Sequence, residues 1–322
     1  MQVFRGFHHP GIAPACALTI GNFDGVHRGH QAMLALLRNE AQHRGLPSCV
    51  MSFEPHPRDH FARLAGKPQL APARIATLRD KLSELERCGI DQVVVLRFDA
   101  ALAALSPGAF IERVLVQGLG ARYVLVGDDF RFGAKRAGDY AMLDAAGQDS
   151  GFDVARMMSY EVHGLRVSSS AVRAALASGD MAAVAHLLGR PYSISGHVVH
   201  GRKLGRELGF RTLNLRFGHP KPAAMGIFVV AVDGLVAGRA LHGVASLGVR
   251  PTVEDAGRVL LEVHCLEWPE SLADDGGYGR CVRVELLHKL HEERHYESMA
   301  ALRDGIARDE ADGRAWFAAR RP

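Results

Sequence analysis

Ala15-Cys-Ala-Leu-Thr-Ile20 runs straight into Gly21-Asn-Phe-Asp-Gly-Val-His-Arg-Gly-His30. The first segment is short and almost wholly apolar, as a buried strand is. The second carries glycines at 21, 25 and 29 and then gives way to a helical pattern. Met33, Leu37 and Ala41 come next at a spacing of four, and Gly45 stops the helix. A buried strand that opens through a glycine loop into a helix begins a parallel α/β unit, and open sheets of this class bind ligands beyond the carboxyl ends of their strands.

The same alternation continues outward. Cys49–Phe53 predicts a second strand. Ile75, Leu78, Leu82 and Leu85 predict one helical stripe closed by Gly89, and Val93–Phe98 a third strand. Ser106-Pro107 caps a helix carrying Phe110 and Val114, and Tyr123–Val126 is a fourth strand. The expected fold is a Rossmann-like parallel sheet with helices on both faces. Two short helices come after it, Ala171–Ala177 and Met181–Leu188, ended by Gly179 and Gly189. After Pro191 the period changes. Ser193–Val199, Gly226–Val232, Arg239–Leu247, Val259–Leu266 and Cys281–Leu287 predict closely spaced strands, which argues for an antiparallel β-barrel or sandwich. A terminal amphipathic helix carries Met299, Leu302 and Ile306. The boundary falls near 186–192, giving expected domains 1–185 and 186–322.

Composition supports this picture. The chain has 322 residues, 48% hydrophobic and 23% charged, which excludes disordered, collagen-like and small disulfide-scaffold classes. A net charge of +4 suits a phosphate-bearing ligand and is too weak a bias to argue for DNA or RNA. The five cysteines form no Cys-x-x-Cys pair and read as free core residues. No apolar run reaches the ~20 residues a membrane helix needs. Ala13-Pro-Ala-Cys-Ala17 resembles a signal-cleavage site but lacks the preceding basic and apolar regions, so the expected location is cytoplasmic.

The chemistry concentrates in the glycine loop. Gly21, Asn22, Asp24 and Gly29 are expected on a phosphate, with the free N–H groups of the adjoining helix behind them. His27 and His30 stand three apart and can face one phosphate, stabilising charge that develops on an α-phosphate and on departing pyrophosphate. Isolated surface histidines are the ordinary alternative in a chain with 17 of them. The placement after a buried strand argues against it. Arg166-Val-Ser-Ser-Ser-Ala-Val-Arg173 offers hydroxyls and arginines at a second helix start. Ser169 and Arg173 are candidates there, although serine runs are also ordinary N-caps.

Together, His-x-Gly-His and Ser-Ser-Ser-x-x-Arg resemble the nucleotidylyltransferase superfamily. Phe53-Glu-Pro-His-Pro57 with Phe61, and Val126-Gly-Asp-Asp-Phe-Arg-Phe-Gly133, resemble its flavin-adenylating branch. The whole chain resembles the bacterial bifunctional riboflavin kinase/FAD synthetase family. The resemblance implies that Phe53, Pro55, His56, Pro57, Phe61 and Phe132 line a flavin, and that Asp129, Arg166 and Ser169 lie near the nucleotide. Apolar and aromatic walls suit an isoalloxazine ring, although plain core packing would use the same residues. It also implies that FMN and ATP give FAD and pyrophosphate in the amino half. The FMN phosphate is already ionised at neutral pH, with a second pKa near ~6, so no protein base is required.

The carboxyl half carries Val198-Val-His-Gly-Arg-Lys-Leu-Gly-Arg-Glu-Leu-Gly-Phe-Arg-Thr-Leu-Asn214. Gly201, Lys203 and Gly205 belong to a flexible cationic loop that can wrap ATP phosphates, although a charged surface hairpin has the same composition. Thr212 and Asn214 alternate on one strand face, and their neutral oxygens are candidates for holding Mg²⁺ with ATP. Arg211 stands where the family commonly has proline. Glu262 lies in Val259-Leu-Leu-Glu-Val-His264, an otherwise apolar run, where an outward-facing glutamate is the plain alternative. The riboflavin kinase likeness places a catalytic glutamate at this position, and riboflavin's 5′-hydroxyl needs a base. Ala245-Ser-Leu-Gly-Val-Arg-Pro-Thr252 and Leu287-His-Lys-Leu290 carry the same likeness. His291-Glu-Glu-Arg-His295 fits a zinc-protease pattern but comes after a strand and is polar throughout, so a metalloprotease is rejected. The expected partners are riboflavin, FMN and ATP alone, with no nucleic acid, membrane or obligate protein partner. A one-activity enzyme, for which Arg211 speaks, and a non-enzymatic flavin or nucleotide binder are the competing alternatives.

Overall fold

The computed structural model describes residues 1–158, 160–162, 165–201, 210–219, 221–249, 259–272 and 277–320. They form two compact units, Met1–Pro72 with Lys81–Ser168, and Ala73–Asp80 with Ser169–Pro322.

The first unit contains six parallel strands: β1 (Gln2–Arg5), β2 (Cys16–Ile20), β3 (Ser48–Glu54), β4 (Gln92–Arg97), β5 (Ala121–Gly127) and β6 (Asp153–Met157). Their order is β1-β4-β3-β2-β5-β6. Helix α1 (Arg28–His43) leads from β2 to β3 on one side, while β5 borders β2 on the other. α2 (Pro57–Leu64), α3 (Leu78–Arg87), α4 (Ala100–Ala103) and α5 (Pro107–Phe110) come in turn, the last running into a π-helical stretch over Ile111–Gly118. α6 (Tyr140–Ser150) precedes β6, and a two-stranded ribbon pairs β7 (Glu161–Val162) with β8 (Leu165–Arg166).

Strand residues alternate between two helical layers, as the expected doubly covered sheet requires. Leu18, Met51, Val94 and Val124 face Phe110, Ile111, Val114 and Leu115 in one core. On the other face Thr19 meets α1 through Met33 and Ser52 meets α3 through Lys81. Those four core side chains are fully sealed, each stabilising the fold by about 1.5–3 kcal/mol.

The second unit begins with α7 (Ser169–Ser178) and α8 (Met181–Leu188). Six antiparallel strands then close a barrel in the order β10-β13-β12-β11-β14-β9. They are β9 (Tyr192–Val199), β10 (Thr212–Phe217), β11 (Gly226–Val236), β12 (Arg239–Val249), β13 (Val259–Cys265) and β14 (Cys281–His291). Val172, Leu176, Val184 and Leu188 from the two helices join the barrel's core. Cys265 lies in that core and burial pushes its thiol up to about 12, while Cys281 is exposed.

Two expectations need correction. Ile75 precedes α3 and packs into the barrel's core, so it is not part of that helix's stripe. Thr77 explains why: its Oγ1 accepts the Asp80 N–H at 3.1 Å and starts the helix after Ile75. The terminal helix α9 (Met299–Ala318) is capped by Ser298 as a helix there should be, but its buried seam is Gly305, Asp309 and Gly313. Met299 is exposed, and Leu302 and Ile306 are half-buried. Small residues let α9 come close to the barrel wall.

A helix-interior glycine ordinarily costs about 1 kcal/mol against alanine. Here a Cβ on Gly313 would stand 2.6 Å from Val244 Cγ1, and one on Gly305 would collide with the Tyr296 hydroxyl. Gly313→Ala is therefore expected to lower the melting temperature followed by circular dichroism. A rise would show that α9 packs less closely than this seam requires.

Candidate active sites

β2 is bonded to β3 on one side and β5 on the other, and the crevice beyond such a switch point is the expected place for a ligand. The seam is tied by Thr19 Oγ1, which donates to Leu125 O at 2.8 Å. Beyond Ile20 the chain is held in an uncommon conformation. Phe23 (φ 48°), Gly25 (φ 85°) and Val26 (φ 41°) all lie in the left-handed region, where a β-branched valine is an outlier. Phe23 and Val26 are nevertheless sealed in the interior, and Gln31 Nε2 donates to Val26 O at 2.9 Å. Burial and that bond fix a loop the backbone alone would not choose.

The result is a rigid histidine pair. His27 caps α1, and its Nδ1 accepts the His30 backbone N–H at 3.3 Å. In the neutral ring this leaves the proton on Nε2, a donor. The two imidazoles stack at 3.6 Å and 15°. His30 is held well below its ordinary proton affinity, first by burial, then by the neighbouring charges of His27 and Lys81. Gly29 fits because a Cβ would stand 3.3 Å from both the His27 ring and Val167 O, and Gly21 because Phe23 lies 3.0 Å away. The first turn of α1 carries no acidic residue, as an anion site wants. Asp24 is buried, and Asn22 Oδ1 and His30 Nδ1 are buried without a hydrogen-bond partner among the described residues. Orphaned polar atoms of this kind mark a place that a ligand or water completes.

The loop after β5 is the other lip. Asp129 is exposed there, and Arg166 pairs with Asp128 at 3.5 Å. Ser169 and Arg173 lie on α7 in the second unit, where Arg173 Nε donates to Ala73 O at 2.7 Å. Among the flavin candidates, Phe53 and Phe61 each meet Phe98 at 5.7 Å. His60 lies 5.5 Å from both Phe61 and Phe98. Phe61 is half exposed, so this aromatic group reaches solvent. Pro55 and Pro57 flank His56, which caps α2 by accepting the Arg58 N–H at 3.1 Å. Phe132 is buried, with Phe110 at 5.7 Å and Phe130 at 5.4 Å.

In the barrel, strand alternation decides the site. Val259, Leu261, Val263 and Cys265 point into the core, which puts Glu262 and His264 on the outer face. Registered pairing sets Asn214 opposite Glu262 on one side and Ser246 opposite it on the other. Thr212 stands opposite His264. This outer face is partly covered. α9 roofs it, leaving a cavity of about 210 Å³ that Thr212, Ser246, Glu262, Glu293, Leu302 and Ile306 help to line. Glu262 thus faces away from the barrel core, as the plain alternative has it, and into a cavity partly covered by α9. Glu293 holds the wall, accepting Ser246 Oγ–H at 2.8 Å. His291 Nε2 pairs with Asp309 Oδ1 at 2.7 Å, so the His-Glu-x-x-His stretch is tied into this wall from the end of a strand.

A Cβ on Gly201 would collide with the Asn214 side chain, so glycine is required where the cationic loop starts. Lys203 and Gly205 lie outside the described residues, as do Arg250-Pro-Thr252. Arg211 sits 5.8 Å over the Trp268 ring, and its carbonyl meets His264 Nδ1 at 3.0 Å. This cation–π contact anchors the strand entry at Arg211. Sequence reasoning passed over Phe98, His60, Ser246, Glu293 and Lys81. Ser246 and Glu293 sat inside recognisable motifs. Lys81 gave no signal, because a lysine on a helix ordinarily reads as solvated.

Two family models match in tandem: FAD synthetase over residues 10–171 and riboflavin kinase over residues 188–317. A bifunctional riboflavin kinase/FMN adenylyltransferase of Escherichia coli K12 is 44% identical over 100% of both chains. The protein of that name from Haemophilus influenzae is 42% identical over 98% of this chain and 99% of its own. A crystal structure of a macrolide-efflux protein from Streptococcus pneumoniae aligns over 98% of this chain and 100% of its own, with a TM-score of 0.76 and 25% identity. No helix among the described residues is long and apolar enough to cross a membrane. With a parallel-sheet unit, a closed barrel and full-length identity of this order, the chain belongs to the bifunctional riboflavin kinase/FMN adenylyltransferase family.

Proposed function

We propose that this enzyme runs two transfers on flavins: riboflavin and ATP give FMN and ADP in residues 186–322, and FMN and ATP give FAD and pyrophosphate in residues 1–185. The observation that carries it is the cross-strand row Asn214–Glu262–Ser246 beneath α9. A carboxylate set between a neutral amide and a hydroxyl is suited to proton transfer. Glu262 accepts the proton of riboflavin's 5′-hydroxyl as the oxygen attacks the γ-phosphorus of ATP, and ADP departs. Thr212 and Asn214 would hold Mg²⁺, since Asn214 Oδ1, buried without a hydrogen-bond partner among the described residues, is a neutral oxygen that suits a hard cation beside phosphate and water. Bound there, the ion would neutralise phosphate charge.

In the sheet unit the FMN phosphate attacks the α-phosphorus of ATP, and the bond to pyrophosphate breaks. The nucleophile is already an anion, so the protein's work is positioning and charge stabilisation. His27 and His30 supply donors to the phosphates, Asn22 and the α1 N-terminus bind them, and Asp129 and Arg166 sit at the nucleotide's edge. Phe53, Phe61 and Phe98 give the flavin a partly open aromatic wall, with Pro55, His56 and Pro57 beside it. Both sites work in the cytoplasm on small soluble substrates, with no protein partner required.

His27→Ala and His30→Ala are each expected to lower the kcat of FAD formation by about 10²–10³, with FMN formation from riboflavin unchanged. Chromatography of riboflavin, ATP and Mg²⁺ incubations reads both products, and equal loss of the two would reject separate sites. Glu262→Gln is expected to cut riboflavin phosphorylation by about 10²–10⁴ while supplied FMN is still converted to FAD. Unchanged kinase turnover would remove Glu262 as the base.

A further inference from the structure

Lys81 is 1% exposed, and a lysine buried to this degree is rare without a specific use. It projects from α3 toward the face of the sheet that bears the histidine loop. Its Nζ donates to Ser52 Oγ at 3.3 Å, and Ser52 Oγ donates to the backbone carbonyl of Asn22 at 3.3 Å. The relay therefore runs from the helix, through β3, to the second residue of the loop that carries His27 and His30. Lys81 also lies close enough to His30 for its charge to disfavour protonation there.

We propose that Lys81 is a positioning residue of the adenylyl-transfer site, holding the histidine loop through Ser52 and Asn22 and placing a fixed positive charge beneath it. The inference rests on the assignment of His27 and His30 to FAD formation. Its physical logic has two parts. The left-handed backbone at Phe23 and Val26 makes the loop costly to hold, and the Asn22 carbonyl is its first anchor past the strand. The stacked imidazoles leave room for little positive charge, since two imidazolium rings 3.6 Å apart repel strongly. The charges acting on His30 are His27 from the loop and Lys81 from α3, both opposing its protonation, and Asp24 is the loop's own buried carboxylate. A lysine cation below the pair keeps it in the neutral, donor-bearing form and still attracts polyphosphate, which a protonated histidine pair could do only by forfeiting its geometry.

Removing the Lys81 charge removes one cause that lowers His30, so protonation of His30 sets in at higher pH. In Lys81→Met, the histidine titration followed by NMR is expected to move toward 6.5, and the acid limb of FAD formation to move up with it. kcat for FAD formation should fall about tenfold or more, with FMN formation unchanged. Lys81→Arg keeps the charge and should leave the titration in place. Ser52→Ala cuts the relay alone, lowering kcat without moving the titration, and it carries the test if Lys81→Met does not fold. An unmoved His30 titration in Lys81→Met, or equal losses with unmoved titrations in Lys81→Met and Lys81→Arg, would overturn the inference. If His30→Ala itself spared FAD formation, the assignment of the site would fall instead, while the NMR titration would still report on Lys81.

Discussion

The hydrogen-bonded seam between β2 and β5 is the constraint on which the amino half depends. The two strands lie side by side, yet β2 continues into α1 and β3 on one side while β6 pairs with β5 on the other. A switch point of this kind is where an open sheet is expected to receive a ligand. Near the ends of these strands lie the left-handed loop, the stacked imidazoles, the α1 N-terminus and the acidic turn after β5. Because both strands are buried along almost their whole length, the crevice has a stiff floor. Preorganised donors need such a floor, since a loop free to relax would spend its binding on reordering.

The barrel solves a different problem with a different device. Its interior is filled with side chains. The candidate site lies instead on the outside of β10, β12 and β13, where α9 partly covers it. Glycine at 305 and 313 is the means, because larger residues would hold the helix away from Val244 and Tyr296. The two halves thus place their candidate sites differently, at the end of an open sheet's strands in one case and on a partly covered barrel wall in the other.

Much of this was legible in the sequence, for physical reasons. Long apolar runs such as Cys16–Ile20 and Val93–Leu96 announce buried parallel strands, and the glycines of residues 21–30 announce a turn from β2 into α1. The edge strands did not announce themselves. β1 is four residues with one buried side chain, and β6 is half exposed along its length. Neither carries a hydrophobic period. Ile75 fitted a helical spacing by coincidence, and the Thr77–Asp80 cap was the overlooked sign. Alternation in β13 could place Glu262 on the outer face, but no local pattern could say that a helix some forty residues later would cover it. Lys81 is the sharpest case. Its neighbours in sequence mark an amphipathic helix, and only tertiary packing turns a solvated lysine into a buried one.

The segment Ala73–Asp80 has a consequence for synthesis. Arg74 N donates to Lys221 O at 2.9 Å, Ala223 N returns a bond to Arg74 O at 3.0 Å, and Ile75 fills the barrel's core. These residues leave the ribosome well before the strands they serve. The barrel cannot close over a complete interior until a stretch translated early has been retrieved, so the polypeptide matures as one piece and not as beads added in order. A gene cut between the two activities would strand part of the kinase's interior on the wrong fragment.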